Sequence, residues 1–239
     1  MTPPVCLTVA GSDSGGAAGI AADLTTFAAL GVHGAVAVTA VTAQSTVGID
    51  RVTVLDADDV VAQVRAVLDD LPVSVVKTGM LGSAAIARAL VDALPPDLPL
   101  VVDPVLAAST GTVFAHDALV AAYREVVLPR ATVATPNAQE AAVLGEFPCP
   151  VLVTDGGHDR LGDDAWRVDR VPTANDHGTG CTHSAALAAY LAHGRPLAQA
   201  ARLAQSFVAV RLRASANWSL GQGRGPLSHL TPSHLSKEH

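Results

Sequence analysis

The chain has 239 residues, 49% of them hydrophobic and 15% charged, which is apolar material for one sizeable α/β domain and too apolar a balance for a disordered chain. Its formal net charge is −7, with only 15 lysines and arginines and no basic cluster, so nucleic acid and anionic membrane are excluded as expected partners and a small molecule is favoured. Cys6, Cys149 and Cys181 are odd in number and far apart, and the opening MTPPVCLTVAGSD lacks the basic region and long apolar core of a signal peptide, so a cytoplasmic location is expected.

In chain order, VCLTVAG reads as a strand that leads through AGSDSGGAAGIAADL into an alanine-rich helix. The glycines of that turn, Gly11, Gly15, Gly16 and Gly19, match neither a Walker A loop nor GxGxxG, and alone they indicate only turn geometry. Asp23, in the helix that follows, is either a solvated carboxylate or a substrate acceptor near the sheet's end. From Leu24 to Ile49 no residue is charged, a length that could span a bilayer. Gly31, His33, Gly34, Gln44 and several threonines interrupt it, and a helix end followed by a buried strand, AVAVTAVTA, accounts for it better. Asp58 to Leu71 has the spacing of an amphipathic helix, VSVVKTG is a further strand, and Ser83 can cap a helix over AAIARALVDAL. LVVDP ends in Asp103, and TVATPN leads to Asn137 and Glu140, which share one side where the segment turns helical. Such oxygen donors suit Mg²⁺ bound with phosphates and water, although each residue alone could be a cap or a turn. After VLVTDGG, the repeated order of strand then helix implies a parallel sheet covered on both faces. Its chemistry should gather at the carboxyl ends of the strands, among Asp13, Gln44, Lys77, Asp103, Asn137 and Asp155.

NDHGTGCTHSAALAAYLAHG, Asn175 to Gly194, places Cys181 in the first turn of a helix that Gly194 and Pro196 stop. Unpaired amides and the positive end of the dipole favour an anion there, Gly178 and Gly180 allow close approach, and the same field should lower the thiol's pKa. An inert core cysteine and a Cys/His hydrolase are the other readings. His183 lies two residues on and does not share a helix face with Cys181, which leaves His177 or a distant histidine for such a dyad. No CxxC or HxxxH pair is present for structural zinc. The tail SLGQGRGPLSHLTPSHLSKEH has the turn chemistry of a surface segment.

Taken together, LTVAGSDSGGAAGIAADL, AVTAQSTVG, VKTGMLG, VVDPV, TPNAQEA, GGH, HGTGCTHSAALAA and GQGRGPL span nearly the whole chain. In this order they resemble the hydroxymethylpyrimidine/phosphomethylpyrimidine kinases of thiamine biosynthesis, within the ribokinase-like superfamily. The resemblance implies one ribokinase-like domain over residues 1–239, a three-layer α/β/α sandwich with a mostly parallel central sheet, usually a homodimer. It implies phosphoryl transfer from ATP, with Mg²⁺, to the pyrimidine alcohol and then to its monophosphate. It puts Gly11, Asp23, Gln44 and Met80 at the pyrimidine, with Ala107 where the family often has valine. It puts Gly178, Thr179, Gly180 and Cys181 in an anion hole with Cys181 as candidate base, and Asn137, Glu140, Asp103 and Thr154 at the nucleotide, Asn137 and Glu140 also holding Mg²⁺. Gln44 can pair with a ring nitrogen and an amino group at once.

The chain departs from the family on the nucleotide side. Asp155 stands before GGH where the family commonly has the lysine that reaches the ATP phosphates. At ~4 Å and an effective dielectric of about 20, an attraction of roughly 4 kcal/mol becomes a repulsion of similar size, before solvent and Mg²⁺ reduce it. Lys77 and Lys237 are the only lysines, so a substitute cation would be an arginine such as Arg160. Ser109 and Thr112 occupy places where relatives often have lysine and aspartate, and the segment around 141–170 is shortened. A working kinase is the leading expectation. A relative that binds the pyrimidine or its phosphate without ATP, and a pyridoxine/pyridoxal kinase, are the alternatives; Gln44 and Met80 favour the pyrimidine.

Overall fold

The computed structural model describes residues 2–107, 116–154, 158–167 and 170–230. In chain order the elements are β1 (Val5–Ala10), α1 (Gly19–Ala29), β2 (His33–Val38), β3 (Ala40–Gln44), β4 (Ile49–Val54), α2 (Ala57–Asp70), β5 (Val73–Thr78) and α3 (Ala84–Ala93). They continue with β6 (Leu100–Val102) and α4 (Asp117–Ala122), which runs through a π-helical turn, Tyr123–Val127, into α5 (Leu128–Arg130). Then come β7 (Val133–Ala134), α6 (Ala138–Leu144), β8 (Leu152–Thr154), β9 (His158–Leu161), β10 (Asp164–Arg167), α7 (Thr179–Ala192) and α8 (Leu197–Ser215).

Five strands form the central parallel sheet in the order β2-β1-β5-β6-β7. Alternate side chains of each strand enter opposite cores, as a two-residue period requires. Leu7, Val9, Val76, Leu100, Val102 and Ala134 join Val60, Val64, Ile86, Leu90 and Tyr123 from α2, α3 and the π turn. Cys6, Val75, Val101 and Val133 join Phe27 of α1 and the alanines of α7 and α8 on the other face. The expected α/β architecture with both sheet faces covered is therefore the one found. Ser83 caps α3, its hydroxyl accepting from Ile86 N–H at 3.2 Å.

Three expectations change. AVAVTAVTA is two strands: the chain leaves the central sheet at Thr39, whose hydroxyl donates to Met80 O at 2.6 Å, and β3 then pairs antiparallel with β4. TVATPN yields a strand of only two residues, because Pro136 has no N–H to continue the ladder. Part of the tail is packed in: His177 bridges to Pro226, and Leu227 and Ser228 are buried, while 219–224 are exposed as expected.

Candidate active site

Val9, Thr78, Val102 and Ala134 lie in one register row across the sheet. Just beyond their carboxyl ends opens a cleft of about 890 Å³. Gly11, Gln44, Met80, Asp103, Ala107, Asn137, Glu140, Thr154 and Gly178 to Cys181 all border it, drawn together from seven separate stretches of chain.

The loop after β1 is organised by Asp13. Its Oδ1 accepts from Gly15 N–H at 2.8 Å, and its Oδ2 from Ala17 and Ala18 N–H at 3.0 and 2.9 Å, an Asx-type nest that the SDSGG stretch favours. Burial works against the charge, but His177 and the amides of Gly15 and Ala18 outweigh it and hold the carboxyl below its usual range. His177 Nε2 stands 3.3 Å from Asp13 Oδ2, to which it donates when it carries the ring proton, and 3.1 Å from Gln44 Nε2, from which it accepts when that proton is on Nδ1. On the other side of the amide, Gln44 Oε1 accepts from Thr42 Oγ1 at 3.3 Å. One N–H and one lone pair of the four hydrogen-bonding positions are thus engaged, which leaves a donor and an acceptor for a ligand.

Gly178 caps α7 with φ 85°, and a Cβ there would collide with the Ala17 carbonyl, so glycine is required to lay the helix start on the β1–α1 loop. Thr179 Oγ1 donates to Asp176 O at 2.6 Å. Gly180 and Cys181, in the first turn, have no intrahelical acceptor for their amides. The expectation for the thiol is corrected. Although Cys181 is only half-buried as a residue, burial of its sulfur pushes the pKa up to about 12; Lys77 and the Gly19 amide pull the other way without winning, and Asp103 and Asp23 add to the rise. The thiol is neutral in the ligand-free protein.

Asp23 is likewise not where it was expected. It does not border the cleft: fully buried on α1, it accepts from Thr8 Oγ1 at 2.6 Å and from Lys77 Nζ at 2.9 Å on both oxygens. The reason is its helix face, which points into the sheet beneath β1 and β5. Burial works against the charge on Lys77, but the carboxylates of Asp23 and Asp103 hold the ammonium above its ordinary range. On the side where the nucleotide was expected, Asn137 and Glu140 form a reciprocal cap for α6: Asn137 Oδ1 accepts from Glu140 N–H and Glu140 Oε2 from Asn137 N–H, both at 2.9 Å. Burial and the nearby charge of Asp103 push the Glu140 carboxyl up to about 7, against the pull of the Asn137 and Leu106 amides. Asp103 Oδ2 accepts from Ser184 Oγ at 3.0 Å. Two crowded carboxylates of this kind fit a divalent cation, with Asn137's oxygen already committed to the cap.

Arg160 lies on β9, exposed and away from the cleft; the arginine at the cleft is Arg224. Asp155, Ser109 and Thr112 lie outside the described residues. Reading the residues alone passed over the tasks of Asp13, His177 and Arg224. Only Asp13 had a local signal, its place before Gly15 and Gly16 in a turn.

The sequence model of the phosphomethylpyrimidine kinase family matches residues 13–155 and 150–228. A hydroxymethylpyrimidine/phosphomethylpyrimidine kinase from Synechococcus elongatus is 40% identical over 263 aligned positions, covering 97% of this chain and 99% of that protein. The aligned span exceeds the 239 residues of the chain, so the relative carries positions that this chain lacks. Among solved structures, a pyridoxal kinase from Bacillus subtilis in an ADP complex superposes with a TM-score of 0.82 at 30% identity, covering 95% of this chain and 98% of that one. A phosphomethylpyrimidine kinase from Clostridium difficile gives 0.74 at 31% identity, covering 87% and 98%.

Proposed function

Because the chain belongs to the phosphomethylpyrimidine kinase family, we propose that it transfers a phosphoryl group from ATP to 4-amino-5-hydroxymethyl-2-methylpyrimidine and to its monophosphate, in thiamine biosynthesis. One observation carries the reading: the restrained Gln44 amide and the open N-terminal turn of α7 share a single cleft. The free donor and acceptor of Gln44 match the ring nitrogen and amino group of an aminopyrimidine, and Met80 packed beside Gly11 gives the ring an apolar floor.

With the ring held there, the hydroxymethyl group reaches toward Gly178, Thr179, Gly180 and Cys181. The amides of that turn stabilise the charge that builds on the transferring group, in a preformed arrangement that needs no reorganisation. Cys181 is the candidate base of this reading and takes the acceptor proton only as the thiolate, its own proton having first passed to solvent; the Lys77 ammonium is the nearby charge that favours that form. A monoester acceptor is already ionised and needs no such help. ATP is bound from the side of Asn137, Asp103, Glu140 and Thr154. A divalent cation, Mg²⁺ in this reading, would be held by Glu140 and Asp103 and would neutralise phosphate charge. No helix among the described residues is long and apolar enough to cross a membrane. A single domain, shortened around 141–170 where the family match divides into two overlapping stretches, a homodimer and a cytoplasmic location complete the proposal.

Calorimetric titration with the pyrimidine monophosphate and, separately, with a non-hydrolysable ATP analogue plus Mg²⁺, followed by a product assay, tests it. Both ligands bind and diphosphate forms if the reading is right. Pyrimidine binding without nucleotide binding or turnover leaves a ligand-binding relative. The superposition on pyridoxal kinase motivates a second substrate in the same assay, and a kcat/KM for pyridoxal above that for the pyrimidine alcohol overturns the substrate assignment.

A further inference from the structure

Among the described residues that border the cleft, Arg224 is the only arginine or lysine, set among the carboxylates of Asp13, Asp103, Glu140 and Asp176. Its Nε donates to Asp176 Oδ1 at 2.8 Å and its Nη2 to Asp176 Oδ2 at 2.6 Å, a two-pronged geometry that a guanidinium offers equally well to a phosphate.

The segment carrying it is fixed on both sides. Gln222 and Gly223 N–H donate to Thr46 Oγ1 at 3.1 and 3.2 Å, Gly225 N–H donates to Ala174 O at 3.1 Å, and Gly225 O accepts from His177 N–H at 3.0 Å. A side chain at 223 would strike the Thr46 backbone and one at 225 the Asn175 amide, so the glycines let the segment lie flat and aim the guanidinium. Its anchors are on the acceptor's side of the cleft. Thr46 is two residues from Gln44, and His177 touches Gln44 directly, whereas Asn137 and Glu140 belong to the start of α6 and Thr154 to β8.

We infer that Arg224 binds the phosphate of the acceptor monoester in the second transfer, exchanging its Asp176 partner for the substrate's oxygens. This rests on the kinase reading. The uncharged alcohol leaves the Arg224–Asp176 pair closed, while a monoester dianion entering a cleft rich in carboxylates needs a cation and finds one already in place. A phosphate could also come from the nucleotide, and the test separates the two sources.

The full chain and its Arg224→Gln, Arg224→Lys and Asp176→Asn variants are titrated with the pyrimidine alcohol, its monophosphate and a non-hydrolysable ATP analogue. Arg224→Gln is expected to weaken monophosphate binding about 10- to 100-fold, the size of a charge-assisted pair, and at least tenfold more than alcohol binding. Arg224→Lys recovers only part, since an ammonium lacks the fork. Asp176→Asn removes the competing carboxylate and tightens the monophosphate, a gain that a merely structural pair could not produce. Equal losses for alcohol and monophosphate, a loss confined to the ATP analogue, or no change each overturn the assignment. Should Arg224→Gln fail to fold, the opposite signs expected of the other two variants decide. Failure of the kinase reading is a separate outcome, visible as absence of pyrimidine binding or product in the parent protein.

Discussion

Lys77→Met is the sharpest probe of the layer beneath the site. Lys77 and Asp23 have side chains with no exposure at all and meet at 2.9 Å, and Thr8 completes the carboxylate's shell at 2.6 Å. Removing the ammonium leaves an unpaired buried carboxylate, which costs about 3–5 kcal/mol. With an m-value of about 3 kcal/mol/M in urea, the unfolding midpoint falls by about 1 to 1.7 M. Asp23→Asn with Lys77→Met removes both charges and keeps an oxygen for the Thr8 hydroxyl, so the double variant should regain more than half of the loss. Asp23→Asn alone is milder than Lys77→Met, because Asp103 still acts on Lys77. Urea titration followed by circular dichroism reads all four proteins. A double variant as unstable as Lys77→Met, or a Lys77→Met loss below about 1 kcal/mol, refutes the reasoning that a buried pair costs most when only one partner is lost.

Cys181→Ala should slow the first phosphorylation by about 10² or more and the second by much less, read by separate product assays for each acceptor; equal loss would remove the thiol as a base. The Glu140 carboxyl, held at about 7 when folded against an ordinary value of 4.5, keeps its proton to higher pH in the folded state. Its share of the stability of the ligand-free protein is therefore lost as pH rises from about 4.5 through about 7, and Glu140→Gln should flatten that part of the difference between melting curves at pH 5 and pH 8. Gly178→Ala must place a side chain at φ 85° and against the Ala17 carbonyl. It should cost at least about 1–2 kcal/mol from conformation alone and abolish turnover, measurable by thermal melting and product assay.

The parallel sheet was legible because its strands carry unbroken apolar runs and the helices between them keep a clear period, as in Asp58 to Leu71 against the observed Ala57–Asp70. The split of AVAVTAVTA at Thr39 was not, since a strand that turns out of a sheet keeps the same β-branched composition on both sides of the bend. The cleft's glycines and the α7 start were visible as motifs. Asp23 misled because a carboxylate on an alanine-rich helix looks alike whether it faces substrate or a buried lysine 54 residues away. His177 on Gln44 and the 222–225 strap on Thr46 join positions 133 and more than 170 residues apart, and no local pattern records such pairings.

The alanines of α7 have a mechanical consequence. Ala185, Ala186, Ala188 and Ala189, with Leu187 among them, are wholly buried, so this helix is gripped by the sheet on one side and by α1 and α8 on the others. A helix enclosed all round cannot tilt or slide to greet a ligand without opening a core packed at crystal-like density. Its N-terminal end is therefore a fixed reference point, to which a ligand must come rather than the reverse.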